Sequence, residues 1–251
     1  MYLTRFRING ARSGARRLLS SPHRVHGAVN AAFPELPHRD GDRPRVLWRL
    51  DHDQQSRASL FVVSPDRPDF THLVEQAGWP TLEPGWQSYA YTEFLDALAP
   101  GDIWAFRLTA NPVRHTRREK DPVGTPTKRT AHRTPAHQKA WLLKQQDRGG
   151  FEVVEKPKER RLLEYGDEHE LVVRDHSPSR FRREPGAAVG NDVRFTQVTF
   201  DGRLRITDVA KLRTAMTQGI GKAKAYGCGL LTLAPVAPVA PVQAVVPGGR
   251  R

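Results

Sequence analysis

The chain has 251 residues, room for one large domain or two of about a hundred each, and 40 Lys and Arg against 27 Asp and Glu give it a formal charge of +13. That surplus favours a polyanionic partner, nucleic acid or an anionic membrane surface; no apolar run approaches the roughly 18–20 residues of a membrane span, and the start "MYLTRFRING" lacks the apolar core of a signal peptide. The single Cys228 excludes an intrachain disulfide and any multi-cysteine zinc site, so a cytoplasmic, nucleic-acid-binding protein is the expectation.

In chain order, "MYLTRFRI" alternates and predicts a first strand. "SSPHRVHGAVNAAF" predicts a helix, with Ser21 as N-cap and Pro22 at the first helical position. "RVLWRLD" and "ASLFVVSP" predict two strands joined by the polar turn Asp53–Arg57. "PDFTHLVEQAG" predicts a short helix closed by Gly78, and "DIWAFRLTANPVRH" a long alternating strand. The order is then β-α-β-β-α-β, a ferredoxin-like unit over residues 1–113. Residues 114–134 form a basic, Pro- and Thr-rich connector and mark the expected domain boundary.

Beyond it, "TPAHQKAWLLKQQDRGG" predicts a capped helix ending in two glycines. "FEVVE", "ELVVRD", "DVRFTQVTFDGRLRITD" and "CGLLTLAP" predict strands, the third folded into a hairpin at Asp201-Gly202. "DVAKLRTAMTQGIG" predicts a helix before the last of them. Residues 135–235 thus predict a second ferredoxin-like unit. The fold class expected is α+β, two tandem ferredoxin-like (RRM-like) domains, each an antiparallel sheet with helices on one face. The low-complexity tail 236–251, rich in Ala, Pro and Val, is expected to be disordered.

Three stretches carry residues suited to chemistry. "GIGKAKAYGCG" holds Gly219, Gly221, Gly227 and Gly229 around Lys222 and Lys224. Such a segment can bring backbone amides and charge to a phosphate; it can equally be a helix C-cap and a turn into the last strand. It is not a Walker loop, because no Gly-Lys-Ser/Thr follows. Basic runs supply Lys128 and Arg129 in "TPTKRTAHR", and Arg180, Arg182 and Arg183 in "SPSRFRREP". Each is either a contact surface for nucleic-acid phosphates or a solvated charged loop.

The third is "SPHRVHGAVN". At about 100° per residue, Val25, Ala28, Val29, Ala32 and Phe33 share a core face. His26 borders that face, with His23 and Asn30 beside it on the more polar side. The two histidines admit three readings: incidental surface imidazoles, a metal site, or an acid/base couple. The metal reading is the weakest, since no carboxylate or cysteine stands near in sequence. An imidazole can give or take a proton near neutral pH, as an acid/base couple requires.

Seven segments in collinear order, "MYLTRFRIN", "SPHRVHGAV", "RVLWRLD", "FRLTANPVR", "KRTAHRTPAHQKAWL", "GGFEVVE" and "GIGKAKAYGCGLLTLAP", resemble the CasE family of type I-E CRISPR-associated endoribonucleases, in the RAMP superfamily. The resemblance implies two tandem ferredoxin-like domains. It implies binding of the repeat hairpin of a CRISPR precursor RNA and metal-independent cutting at the 3′ base of the stem, leaving a 2′,3′-cyclic phosphate. It further implies retention on the mature guide RNA beside the other Cascade subunits, with no cofactor, no membrane, and a free protein expected as a monomer. His26 matches a family histidine taken to act in proton transfer. His23 stands where many members have tyrosine, so it is either a second proton-transfer group or a positioner of RNA. Arg24, Lys128, Arg129, Arg180, Arg182, Arg183, Lys222, Lys224 and the four glycines are the expected RNA contacts. The alternative is an RNA-hairpin-binding subunit with weak or no cleavage.

Overall fold

The computed structural model describes residues 1–35, 43–116, 127–182 and 192–236. The first strand, β1 (Tyr2–Arg7), is followed by two helices, α1 (Ser13–Leu19) and α2 (Pro22–Asn30). Then come β2 (Leu47–His52), β3 (Ala58–Ser64), α3 (Thr71–Ala77), β4 (Trp86–Ala90) and α4 (Tyr91–Asp96). The strands form one antiparallel sheet in the order β2-β3-β1-β4. Helices α1, α2 and α3 cover one face, where Val25, Val29 and Leu73 pack with Phe6, Trp48, Leu60 and Val62. Burying each such valine or leucine contributes about 1.5–3 kcal/mol.

The second sheet begins with β5 (Ile103–Ala110). A ribbon of β6 (Val113–Thr116) and β7 (Lys128–Ala131) leads into α5 (Pro135–Leu143), α6 (Gln146–Gly149) and β8 (Phe151–Val153). The chain continues through β9 (Leu171–Arg182), β10 (Asp192–Ile206), α7 (Val209–Gln218) and β11 (Leu231–Ala234). The sheet order is β11-β5-β10-β8, with β9 also paired to β10. Trp141, Leu142, Leu212 and Met216 of α5 and α7 pack on Phe106, Leu108, Phe200 and Leu204. Both sheets therefore show the fourth-first-third-second strand order of the ferredoxin-like fold.

Three expectations change. The strand expected to close the first unit opens the second: β5 pairs with β10 and β11, and β4 fills the place left in the first sheet. The division at 113–114 therefore does not follow the sheets. The described parts of 114–134, expected as a linker, form the β6–β7 ribbon and the entry to α5 inside the second unit. Asp201-Gly202 is not a turn. Both residues lie within the continuous 15-residue strand β10, opposite Arg107 and Phe106 of β5. Gly202 has a different reason: a Cβ there would come within 2.3 Å of the Glu170 carbonyl oxygen. Within the first 113 residues, α1, β4 and α4 had no sequence expectation.

The two units share a core. Leu47 and Val63 of the first sheet and Tyr91, Leu95 and Leu98 around α4 belong to the same apolar cluster as the second sheet. Beside that cluster lies an ionic seam. Arg49, 2% exposed, pairs with Asp51 at 2.6 Å and donates to the carbonyls of Arg107 (2.9 Å) and Leu230 (3.0 Å). Arg107 pairs with Asp201 at 2.7 Å and lies 3.5 Å from Asp51, and Arg174 pairs with Asp201 at 3.0 Å. Burial alone would raise the Asp201 carboxyl, but hydrogen bonds from Arg107 and Arg174 outweigh it and hold it below its ordinary value.

Candidate active site

Helix α2 starts as its sequence dictates. The Ser21 hydroxyl accepts from the His23 amide at 3.3 Å, and Pro22 occupies the first turn. Val25 and Val29 anchor the helix on the first sheet, which fixes the rotation of its other face. His23 and His26 come out half-buried on that face, one turn apart, while Arg24 is exposed and donates to the Arg17 carbonyl at 3.1 Å. Asn30 Nδ2 lies 3.3 Å from His26 Nε2, so the expected His23–His26–Asn30 polar edge exists.

What faces α2 comes from the second unit. The glycine-rich segment follows α7 and makes a 3-10 turn at Lys224–Tyr226. Tyr226 meets His26 edge-on at 6.4 Å. Phe181 of β9 stacks on His23 at 6.4 Å and 16°, and its edge meets Tyr226 at 4.9 Å. Phe195 of β10 stacks on Tyr226 at 5.7 Å. The two imidazoles thus stand against three aromatic rings carried by a hairpin and a glycine loop from the other domain.

The hairpin reaches α2 because β10 is longer than its sheet. Val198–Arg205 pair with β5, whereas Asp192–Gln197 pair only with β9 and form an arm. A bulge between Gln197 and Thr199 re-aims that arm, and Asp175 there has φ 49°. Arg180, Arg194, Lys128 and Arg129 line one open groove between the arm and the β6–β7 ribbon, a space of about 930 Å³. Asp192 pairs with Arg180 at 2.9 Å and with Arg194 at 3.4 Å, orienting both cations along the arm. Arg182 ends β9, and Arg183 lies outside the described residues, as do residues 237–251 of the expected tail.

The glycines of the 219–229 segment have positive φ at all four positions. At Gly227 a Cβ would sit 2.6 Å from the Trp48 ring, so the loop closes tightly on β2 and brings Tyr226 to α2. Gly219 is the C-cap of α7, which is the alternative reading of that residue. Lys222 and Lys224 line a cavity of about 310 Å³ with Arg148, a lining that includes neither His23 nor His26. Burial, with Arg45, Arg148 and Lys222 nearby, lowers the Lys224 ammonium to about 8. Cys228 is fully buried and its thiol is pushed up to about 12, out of reach of nucleophilic chemistry at neutral pH.

The structure therefore gathers the expected residues into three groups. His23 and His26 are together; Lys128, Arg129 and Arg180 share the groove; Lys222 and Lys224 lie behind the glycine loop. Tyr226, Phe195, Arg194 and Arg148 had no sequence expectation. Only Tyr226 carried a hint, as the aromatic residue inside the glycine-rich run. Among the described residues no group of three or more His, Cys, Asp and Glu is placed to hold a metal ion.

The profile of the family described as CRISPR associated protein matches residues 1–235. The CRISPR-associated endoribonuclease Cse3 of Thermus thermophilus is 30% identical over 238 residues, covering 94% of this chain and 100% of that protein. The CRISPR system Cascade subunit CasE of Escherichia coli is 28% identical, covering 76% of this chain and 89% of its own. The solved structure of Thermus thermophilus Cse3 bound to an RNA representing a pre-cleavage complex superposes with a TM-score of 0.71 at 27% identity, covering 93% of this chain and 98% of that one.

Proposed function

The chain belongs, over residues 1–235, to the family of CRISPR associated proteins, in its CasE branch, and on that premise we propose that it is a CRISPR RNA endoribonuclease and a Cascade subunit. Its substrate is the repeat hairpin of a precursor transcript, cut at the 3′ base of the stem. The observation that carries this reading is the pair His23 and His26 on a rigid helix, facing the aromatic turn and the cationic arm of the second unit.

The chemistry follows from the groups present. The 2′-hydroxyl next to the scissile phosphate gives up its proton to the His26 imidazole and attacks phosphorus. The P–O5′ bond breaks, leaving a 2′,3′-cyclic phosphate, and the departing 5′-oxygen takes a proton from a second acid. His23 is the nearest candidate for that acid on α2. No metal is needed for either transfer. Asn30, within hydrogen-bond reach of His26, orients its ring. Lys128, Arg129, Arg180, Arg182, Arg183 and Arg194 hold phosphates of the stem, with Arg24 on the backbone nearer the cut and Lys222 and Lys224 on backbone that passes behind the glycine loop, whose shape Gly219, Gly221, Gly227 and Gly229 allow.

One observation favours a second reading, an RNA-hairpin holder with weak cleavage: His23 is stacked on Phe181, a posture that suits a positioner as well as an acid. Incubation with the repeat hairpin in EDTA separates the two. Cutting at a single position, with a cyclic phosphate end, is expected. His26→Ala is expected to lower the rate at least about 100-fold while leaving hairpin affinity within a few fold; unchanged cutting would remove His26 from the mechanism.

A further inference from the structure

Between the N-terminus of α2, strand β2 and the face of the second sheet lies a cavity of about 470 Å³; Arg180, Phe181 and Gly227 of its wall belong to the site above, and the rest of its lining has no role there. It opens beside the histidines, since Pro22, Phe181 and Gly227 form part of its wall. Its size falls within the roughly 300–1,000 Å³ of small-molecule pockets, and its lining includes Asp51, Arg107, Thr109 and Thr199 with the more exposed Arg174.

The charge of that lining decides what the pocket suits. Arg107 and Arg174 both pair with Asp201, and Arg107 also lies near Asp51. A phosphate would have to compete with carboxylates already bound to the guanidiniums. A neutral heteroaromatic ring would not. Thr109 and Thr199, whose hydroxyls are 2.9 Å apart, offer donors and acceptors to such a ring, and Asp175 adds a carboxylate acceptor at the bulge. One wall of the mouth is aromatic: Phe181 lines the cavity, and His23, next to the lining residue Pro22, stands 16° from parallel with it, centroids 6.4 Å apart. A third ring between two others needs about 7 Å, two contacts of about 3.5 Å each. A small outward movement of Phe181, on an arm whose strand pairing is β9 with the outer half of β10, provides it.

We infer that this pocket receives the base of one unpaired nucleotide beside the scissile phosphate, stacked at its mouth by His23 and Phe181. The inference rests on the endoribonuclease reading for the identity of the RNA. It explains what an imidazole at position 23 gains by facing Phe181: a flat ring that grips the base next to the bond being cut. Drawing that nucleotide out of line also turns its 2′-hydroxyl or its neighbour's toward attack, which an A-form stem does not allow.

An abasic scan tests it. The repeat hairpin with its single-stranded flanks is made with one abasic residue at each position around the cut in turn, and dissociation constants and single-turnover rates are measured on the full chain. At one position only, loss of the base is expected to weaken binding roughly tenfold, the scale of base–aromatic stacking. Phe181→Ala is expected to weaken binding of the parent RNA by a similar factor and to be indifferent to that abasic residue. His23→Phe, which keeps a stacking ring, is expected to retain the abasic effect even as cutting falls, so that loss of folding and loss of stacking are told apart. If the wild-type protein binds every abasic RNA within about twofold of the parent, well under the stacking scale, the pocket does not hold a base. That outcome leaves the endoribonuclease reading intact, because cutting of the parent hairpin in EDTA decides it separately.

Discussion

His23 has two neighbours of different character, the polar edge of its own helix and the ring of Phe181 from the other domain. Its role turns on which neighbour matters during the reaction. Imidazoles titrate near 6.5 and phenols near 10, so the tyrosine that many relatives carry is a natural test. If position 23 gives the proton to the leaving oxygen, His23→Tyr keeps cutting and moves the alkaline limb of the pH–rate profile upward by about 3–4 units. Single-turnover rates from pH 5 to 10 measure it, and that shift is the expected outcome. A profile that keeps its alkaline limb would instead make residue 23 a positioner. Sequence spacing singled out this residue and His26 because a proline-capped helix with a clear apolar stripe leaves little freedom over which side chains emerge. It gave Tyr226 no role, because its relation to His26 exists across the domain contact.

Strand β9 and the outer half of β10 turn a sheet edge into an arm, and most of the expected RNA contacts depend on it. A groove cation that neutralises one phosphate adds about one unit to the slope of log affinity against log salt. Arg180→Ala and Arg194→Ala are each expected to weaken hairpin binding and to flatten that slope by about one. Titrations between low and moderate salt read it, and a parallel line for either variant would take that residue off the phosphates. Both variants leave α2 untouched, so the single-turnover rate at saturating RNA is expected to stay near wild type. The arm also marks where local sequence signals end. Asp-Gly within an alternating run is the strongest short-range sign of a hairpin turn, yet here the glycine answers the approach of the Glu170 carbonyl, and the aspartate answers Arg107. Both causes are distant in sequence. The alternation that identified β5 as a strand is likewise the same in either sheet, and pairing with β10, far along the chain, settles which one it joins.

At the scale of the whole molecule, the site exists only if the two ferredoxin-like units keep one orientation, because the imidazoles come from the first and the facing rings and cations from the second. Apolar packing of Leu47 and Val63 supplies attachment, but a slippery apolar contact tolerates sliding. The ionic seam is directional: Arg49 reaches across from β2 to two carbonyls of the second sheet, and Asp201 holds Arg107, which bridges back toward Asp51. Asp201→Asn should loosen it without altering a residue that meets RNA backbone. The side chain is 23% exposed, so the cost is smaller than for a fully buried pair, about 2 kcal/mol, or roughly 4–8 °C in Tm for a chain of this size. The pH dependence gives the sign. The folded carboxyl titrates below its ordinary value, so the unfolded state binds more protons between the two values. Its stabilisation is complete above the ordinary value of 3.8 and is lost as pH falls through the folded one. Wild-type protein is therefore expected to lose stability in acid across that window, and Asp201→Asn, already less stable at neutral pH, to lose less of it. Thermal melts from pH 3 to 7 measure both. Cutting by the variant is expected to fall more than hairpin binding does, since the arm that grips the stem lies within one unit while the reaction needs both units in register.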